Sequence, residues 1–142
     1  MSRYLVDTNI PSELTGEKPD ARVVAFLANA GKSSVFLSVM TIGEICKGIA
    51  ALPASPKRTG FETWLNIDVR SWFAGRTLPV TEVIAERWGY LAIAAKQRGQ
   101  TSAVVDGLIA AMALQHDLTL VTRNVRDLSG LGVTLLNPWE DA

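Results

Sequence analysis

The feature that most constrains the fold is a series of short, uninterrupted apolar segments separated by longer segments with helical patterning. The predicted strands are Tyr4-Leu5-Val6, Val35-Phe36-Leu37-Ser38-Val39, Arg76-Thr77-Leu78-Pro79-Val80, Leu118-Thr119-Leu120-Val121-Thr122 and Val133-Thr134-Leu135-Leu136. Strands that are apolar on both faces are typical of a parallel sheet covered by helices on both sides. The alternation therefore predicts an α/β fold with a central parallel sheet of about five short strands flanked by helices.

The segments between these strands carry apolar residues at helical spacing. The predicted helices span residues 20–30, 41–52, 61–73, 81–98 and 104–116. Residues 54–60 include Ser55, Pro56 and Gly60 and lack apolar periodicity, which favours a loop, and apolar patterning resumes at Phe61. The length of 142 residues is typical of one domain, so residues 1–142 are predicted to form a single domain.

The charge balance restricts how this chain could bind nucleic acid. Lys and Arg number 14 and Asp and Glu number 14, which gives a formal net charge of zero. That balance argues against binding through a broad basic surface, but not against a nuclease that holds phosphate through a metal ion. A single cysteine, Cys46, and the lack of a long apolar window lead us to expect a cytoplasmic protein without a membrane span.

Four acids follow or flank elements that are predicted to end at the same edge of the sheet: Asp7, Glu44, Asp106 and Asp127. Functional groups gather at the carboxyl ends of parallel strands. Each acid also has a structural interpretation. Asp7 and Asp106 could cap the helices that follow them. Glu44 fits a capping box with Thr41, and Asp127 fits an ordinary turn.

Asp106 is the most informative of these acids because residues 104–114 contain no other charge. A buried carboxylate without a partner is costly and requires protonation, a cation or a metal ion. Several carboxylates in one pocket repel one another, and Mg²⁺ or Mn²⁺ held by oxygen ligands relieves that repulsion. Zinc is disfavoured, since Cys46 and His116 are the only residues of their kinds.

A divalent cation in such a pocket would polarise a phosphate oxygen, activate water and neutralise the leaving oxygen, which suits phosphodiester hydrolysis. The sequence contains neither a Gly-rich phosphate loop nor a Gly-x-Ser-x-Gly elbow. Cys46 and His116 lie in apolar helical patterns and are interpreted as packing residues. A phosphatase with Asp7 as nucleophile is a weaker alternative, because Asn9 stands where such enzymes carry a second acid.

Other polar residues flank the acids. Asn9 could cap the first helix, which would leave Asp7 available for a site. Lys47 lies three residues after Glu44, so it could pair with that acid on a solvated helix face. Arg123 could contact a phosphate or a neighbouring acid. The predicted site therefore includes both acidic and basic side chains.

Four motifs in this order resemble the PIN-domain ribonucleases, in particular the VapC-type toxins of bacterial toxin–antitoxin pairs. They are Tyr4-Leu5-Val6-Asp7-Thr8-Asn9-Ile10, Thr41-Ile42-Gly43-Glu44-Ile45-Cys46-Lys47-Gly48-Ile49, Asp106-Gly107-Leu108-Ile109-Ala110-Ala111 and Leu120-Val121-Thr122-Arg123-Asn124-Val125-Arg126-Asp127. The closing Asn137-Pro138-Trp139 is also similar to one branch of these toxins. The resemblance implies a three-layer PIN-like domain with Mg²⁺- or Mn²⁺-dependent endoribonuclease activity.

The resemblance also implies roles for individual residues. It assigns the metal-site acids, and with them catalysis, to Asp7, Glu44, Asp106 and Asp127. The fourth position is open between Asp127 and Asn124, because relatives carry the acid either directly after the Thr-Arg pair or a few residues later. Thr8 and Thr122 would be hydroxyls that hold the carboxylates. Asn124 would otherwise contact water or phosphate.

The family further implies an RNA substrate, with structured RNA such as tRNA as one candidate, a homodimer, and a cognate antitoxin that covers the active site. The predicted helices over residues 20–30 and 61–73 present apolar faces that a partner could cover. The alternative is a catalytically weak or inactive PIN-like module that acts through protein–protein interaction, with Asn124 as the sign of a weakened metal site.

Overall fold

The computed structural model describes residues 2–140 and contains one five-stranded sheet in the order β3-β2-β1-β4-β5. The strands are β1 (Tyr4–Val6), β2 (Val35–Ser38), β3 (Thr77–Leu78), β4 (Thr119–Val121) and β5 (Leu135–Leu136). Every neighbouring pair is parallel; in the central pairings Leu5 lies opposite Phe36 on one side and Leu120 on the other. The predicted parallel sheet of short strands is therefore confirmed.

Helices connect these strands. They are α1 (Asn9–Glu13), α2 (Ala21–Ala30), α3 (Val39–Ala50), α4 (Pro56–Thr63), α5 (Arg70–Trp72), α6 (Glu82–Gln97), α7 (Val104–Gln115) and α8 (Val125–Leu128). A π-helical turn, Trp64–Val69, joins α4 to α5. The helices predicted over 20–30, 81–98 and 104–116 agree with α2, α6 and α7 to within one residue at each end. In the part of the chain described, no helix has the length and apolarity needed to cross a membrane.

Two apolar cores lie on opposite faces of the sheet. Leu5 and Leu120 pack with side chains of α6 and α7, whereas Val6 and Val121 pack with side chains of α1, α2 and α3. Successive side chains of a strand point to opposite faces, so the two neighbouring residues of each strand enter different cores. This division produces the three-layer α/β/α arrangement that the uninterrupted apolar strands predict.

The start of α3 differs from the prediction. The helix begins at Val39, and the Ser38 hydroxyl accepts a hydrogen bond from Met40 N at 3.0 Å, which caps it. Thr41 lies inside the helix and is fully buried, so the predicted capping box with Glu44 is wrong. Strand β2 runs directly into the helix, and the last residue of the strand therefore supplies the cap.

The loop predicted over residues 54–60 is also wrong beyond Ser55. Helix α4 begins at Pro56, and the Ser55 hydroxyl accepts a hydrogen bond from Arg58 N at 3.2 Å. Proline is well tolerated at the first position of a helix, because its fixed φ is helical and its missing N–H has no partner there. The helix predicted over 61–73 thus belongs to a longer helical segment that starts at Pro56.

Candidate active site

The first part of the site lies where the neighbouring strands β1 and β4 end. Asp7 N donates to Val121 O at 2.9 Å, which extends the pairing of the strands by one residue. Thr122 Oγ1 then donates to Asp7 Oδ2 at 2.8 Å, and Thr8 N donates to Asp7 Oδ1 at 2.8 Å. Asp7 is only 6% exposed. It is therefore a buried carboxylate whose two oxygens are each held by a donor.

Thr8 connects this strand end to α3. Its Oγ1 donates to Glu44 Oε1 at 2.6 Å, across 36 residues of sequence. Thr8, which directly follows Asp7 in sequence, therefore orients the Glu44 carboxylate.

Asn9 links α1 to the end of β4. Its Nδ2 donates to Thr122 Oγ1 at 3.3 Å, and its Oδ1 accepts from Arg123 N at 3.3 Å. The residue that precedes α1 is Thr8, and neither Asp7 nor Asn9 caps this helix with its side chain. Asn9 instead holds the backbone and hydroxyl groups that follow β4.

Asp106 is the third residue of α7, so it does not cap this helix; Ala103 precedes the helix and offers no side-chain cap. Burial raises the pKa of the Asp106 carboxyl, and the negative charges of Asp7, Glu44 and Asp127 raise it further. Each of these three acids is therefore near enough to Asp106 for its charge to act on that carboxyl. The side chain of Asp106 forms no hydrogen bond or ion pair with any residue from 2 to 140.

The four acids lack cationic partners within the described chain, where the ion pairs are Arg22–Asp20 and Arg58–Glu62. Over the same residues, no three Asp, Glu, His or Cys side chains are grouped closely enough to hold a metal ion as they stand. Carboxylates that repel one another favour such separation. The donors are all hard oxygens, which fits Mg²⁺ or Mn²⁺ and does not fit zinc; binding would require the side chains to move closer together.

The polar residues around the acids differ in how they are held. Lys47 is exposed and forms no ion pair with Glu44, so the predicted surface pair is absent from the described structure. Asn124 directly precedes α8, and its backbone N donates to Thr122 Oγ1 at 3.0 Å. Asp127 is exposed in α8 and acts on the Asp106 pKa through its charge.

Sequence reasoning missed the residue that supports Arg123. The Arg123 guanidinium lies 5.1 Å from the centre of the Trp139 ring. Trp139 is 4% exposed, and its Nε1 donates to Glu13 Oε1 at 3.3 Å. The only sequence signal was the closing Asn-Pro-Trp motif. Tertiary packing brings the Trp139 ring against the Arg123 guanidinium in a cation–π contact.

Comparison with known proteins identifies the family. Residues 4–130 match the PIN domain family. The chain is 37% identical over 137 residues to Toxin FitB of Neisseria gonorrhoeae, which covers 96% of this chain and 99% of that protein. It is 35% identical over 138 residues to VapC ribonuclease Y4jK of Sinorhizobium fredii, which covers 97% and 99% respectively.

Solved structures agree with this result. The crystal structure of FitAcB from Neisseria gonorrhoeae has a TM-score of 0.89 at 36% identity and covers 96% of this chain and 99% of that one. A chain of a toxin–antitoxin complex from Klebsiella pneumoniae has a TM-score of 0.72 at 25% identity, with 95% and 97% covered. The chain therefore belongs to the PIN-domain family, among relatives named as toxins and ribonucleases.

Proposed function

We propose that this chain is a Mg²⁺- or Mn²⁺-dependent endoribonuclease that acts as the toxin of a type II toxin–antitoxin pair. The observation that carries the proposal is a neighbourhood of four carboxylates without a cationic partner among residues 2–140, in which three acids raise the pKa of the fourth. Uncompensated like charges at the carboxyl edge of a parallel sheet are an expected arrangement for a divalent-cation site. The family relation to a named ribonuclease supports the same reaction.

In this proposal Asp7, Glu44, Asp106 and Asp127 hold the ion, which when bound polarises a phosphate oxygen and activates water. The chain's own hydroxyls prepare the ligands: Thr122 holds one oxygen of Asp7, and Thr8 holds one oxygen of Glu44. Outer hydrogen bonds of this kind orient metal ligands and are as important as the ligands themselves.

Positive charge beside the acids would meet the RNA backbone. Arg123 directly follows Thr122, and its guanidinium makes a cation–π contact with the ring of Trp139. We assign Arg123 to a phosphate of the substrate, because a guanidinium binds phosphate through paired hydrogen bonds. Lys47, exposed and without an ion pair in the described chain, would add a second positive charge one turn after Glu44.

The second candidate function is an inactive PIN-like module that works through protein–protein interaction. It is favoured by the spacing of the acids, since no three potential ligands within residues 2–140 are grouped for metal binding as they stand. Asn124, which occupies one of the two family positions for the fourth acid, also favours an inactive module.

Metal titration and RNA cleavage separate these two functions. We expect calorimetry to show Mn²⁺ binding by the wild-type chain, and Mn²⁺- or Mg²⁺-dependent cleavage of a structured RNA such as tRNA. Asp7→Asn and Asp106→Asn should abolish both. A matched control is Asp117→Asn, at an exposed acid that precedes β4 at the other end of the strand and has a φ of 54°, which Asn also tolerates.

The outcomes are distinct. A wild-type chain that binds no Mn²⁺ and cleaves no RNA would be the inactive module. Cleavage that survives Asp7→Asn or Asp106→Asn would contradict the proposed mechanism, whatever the metal titration shows. Loss of activity in Asp117→Asn would mean that removing any carboxylate disturbs the protein, and the acid variants would then carry no information about the site.

The proposal includes an antitoxin, and an apolar groove of about 600 Å³ is the surface that we assign to it. The groove lies between α1, α2 and the helical segment over residues 64–73, and its apolar lining includes Ile10, Leu14, Val24, Leu27, Trp64 and Trp72. Leu14 and Val24 are 42% and 44% exposed. An exposed apolar surface of this kind is a liability in a free monomer, so we assign it to an apolar segment of the antitoxin.

Charge introduced into the groove tests this assignment. Val24→Glu should prevent co-purification with the product of the adjacent antitoxin reading frame and leave RNA cleavage unchanged. Ile67→Glu is the matched control, because Ile67 is 60% exposed in the same region but does not line the groove. An antitoxin that binds both variants equally well would show that this groove is not its binding surface.

The proposal also includes a homodimer, which the family resemblance implies, and a cytoplasmic location, which the single cysteine favours. The exposed apolar side chains of Val83, Tyr90 and Ile93 on α6 support the dimer, since a second copy could cover them. Light scattering on the purified chain measures the dimer directly. Fractionation of cells that express the chain tests the location.

A further inference from the structure

Gly107 directly follows Asp106 inside α7 and is buried. Glycine is unfavourable inside a helix, because it loses more backbone entropy than any other residue. Its φ is not positive, unlike that of Gly31, Gly75 and Gly99, so no left-handed conformation requires a glycine here. The reason for this residue must lie in what surrounds it.

A neighbouring tryptophan provides that reason. A Cβ on Gly107 would lie 2.8 Å from Trp88 Cδ1 and 2.9 Å from Trp88 Nε1. Trp88 belongs to α6, is half-buried and packs against the core that contains Ile84 and Ile109. Ordinary contact begins at 3.4 Å, so a side chain at residue 107 would require a shift of at least 3.4 − 2.8 = 0.6 Å in the helix or the indole.

The position of Asp106 depends on this packing more than the positions of the other acids do. Asp7 is held by Thr8 and Thr122, and Glu44 is held by Thr8. Asp106 has no such donor within the described chain. Its carboxylate is therefore placed by the backbone of the first turn of α7.

We propose that the lack of a side chain at Gly107, which allows α7 to approach Trp88 closely, positions Asp106 relative to Asp7 and Glu44, so that Gly107 is a positioning residue of the site. The proposal rests on the proposed function for the role of these acids as metal ligands. Since these side chains must already move closer together to hold an ion, a displaced first turn of α7 would change the movement that Asp106 needs to reach the geometry that Mg²⁺ or Mn²⁺ requires.

The test compares glycines that each stand directly before or after a site acid. Gly107→Ala should displace the first turn of α7 in a crystal structure of the metal-free variant and weaken Mn²⁺ binding by about tenfold or more in calorimetry. Gly43→Ala is the matched control. Gly43 precedes Glu44 inside α3, and a Cβ there has no neighbour within 4 Å. This control should bind Mn²⁺ as the wild type does.

Removing the indole should relieve the clash. The double variant Gly107→Ala/Trp88→Leu should recover Mn²⁺ affinity to within about threefold of the wild type, a non-additive result that is expected when two residues are sterically coupled. A role in stability alone would lower the melting temperature of Gly107→Ala without changing its Mn²⁺ affinity. Recovery in the double variant is therefore the readout that identifies positioning.

The proposal is overturned if α7 keeps its place in Gly107→Ala while the Trp88 ring rotates away, or if a folded double variant remains weak for Mn²⁺. If Gly107→Ala does not fold, the double variant decides alone: recovered folding with near wild-type affinity supports the proposal. If α7 shifts as expected but the wild-type chain binds no Mn²⁺, the positioning role of Gly107 stands and the proposed metal site fails.

Discussion

The Thr122 hydroxyl connects more of the site than any other described side-chain atom, so its removal is an informative perturbation. Thr122 Oγ1 donates to Asp7 Oδ2 at 2.8 Å and accepts from Asn124 N at 3.0 Å and from Asn9 Nδ2 at 3.3 Å. Thr122 is fully buried. Thr122→Val retains the shape of the side chain and removes all three hydrogen bonds.

The magnitude follows from the three bonds. A hydrogen bond to a buried charged acceptor contributes about 1.5–3 kcal/mol, and the two longer neutral bonds contribute about 0.5 kcal/mol each, so Thr122→Val should lose about 2.5–4 kcal/mol of unfolding free energy. For 142 residues the unfolding entropy is about 0.3 kcal/mol per kelvin. The melting temperature should therefore fall by about 8–13 °C.

Thr122→Ser is the matched control, because it keeps the hydroxyl and loses one methyl group. Its expected loss is about 1 kcal/mol, or about 3 °C. Urea unfolding and calorimetry of both variants measure the difference, and Mn²⁺ titration should show weaker binding for Val but not for Ser. If the two variants lose the same stability, the hydroxyl does not hold Asp7 and our account of the site is refuted.

Three further predictions concern other parts of the site. Asp106→Asn should raise the melting temperature of the metal-free protein at neutral pH: burial and like charges raise the folded pKa of this acid, so its ionisation opposes folding. In acid, Asp106 is protonated in both the folded and the unfolded state, so the gain in melting temperature should vanish. The gain should grow as the pH rises from the pKa of Asp106 in the unfolded chain through its higher pKa in the folded protein. A gain that does not depend on pH would contradict this prediction. Thr8→Val removes the 2.6 Å hydrogen bond to Glu44, so it should weaken Mn²⁺ binding and lower the free energy of unfolding by about 1 kcal/mol. Thr8→Ser keeps the hydroxyl and should preserve both the Mn²⁺ affinity and the stability, which calorimetry measures. Trp139→Ala should lower the unfolding free energy by about 3–5 kcal/mol in urea, because Trp139 is almost fully buried, and Trp139→Phe should lose much less; equal losses would mean that the ring itself contributes little.

Secondary structure was predictable wherever the local pattern had one interpretation. The helix predicted over residues 81–98 is present as α6, and the Thr81 hydroxyl caps it by accepting a hydrogen bond from Ile84 N at 3.3 Å. The start of α3 was predicted at Thr41, but the cap is Ser38, three residues earlier. Ser55 and Pro56 were a helix start that resembled a loop, because the same residue types favour both. Errors therefore fell at helix starts, where local signals compete.

The acids were detectable because charge is anomalous in an apolar pattern. Asp106 stands alone among uncharged residues, and Asp7 ends a buried strand. What these acids contact could not be predicted, since Thr122 reaches Asp7 across 115 residues and Thr8 reaches Glu44 across 36. The support of Arg123 by Trp139 was likewise invisible in sequence.

The sequence by itself determined the fold class, the family resemblance and the identity of the candidate acids, because hydrophobic periodicity and isolated charges are local properties. Only the tertiary structure decided which donor holds each acid, and that Asp106 has none in the described chain and depends on the close approach of α7 to Trp88. Hydrogen bonds and steric contacts act over a few ångströms between residues far apart in sequence. Their partners are therefore defined only after the sheet has brought the ends of β1 and β4 together.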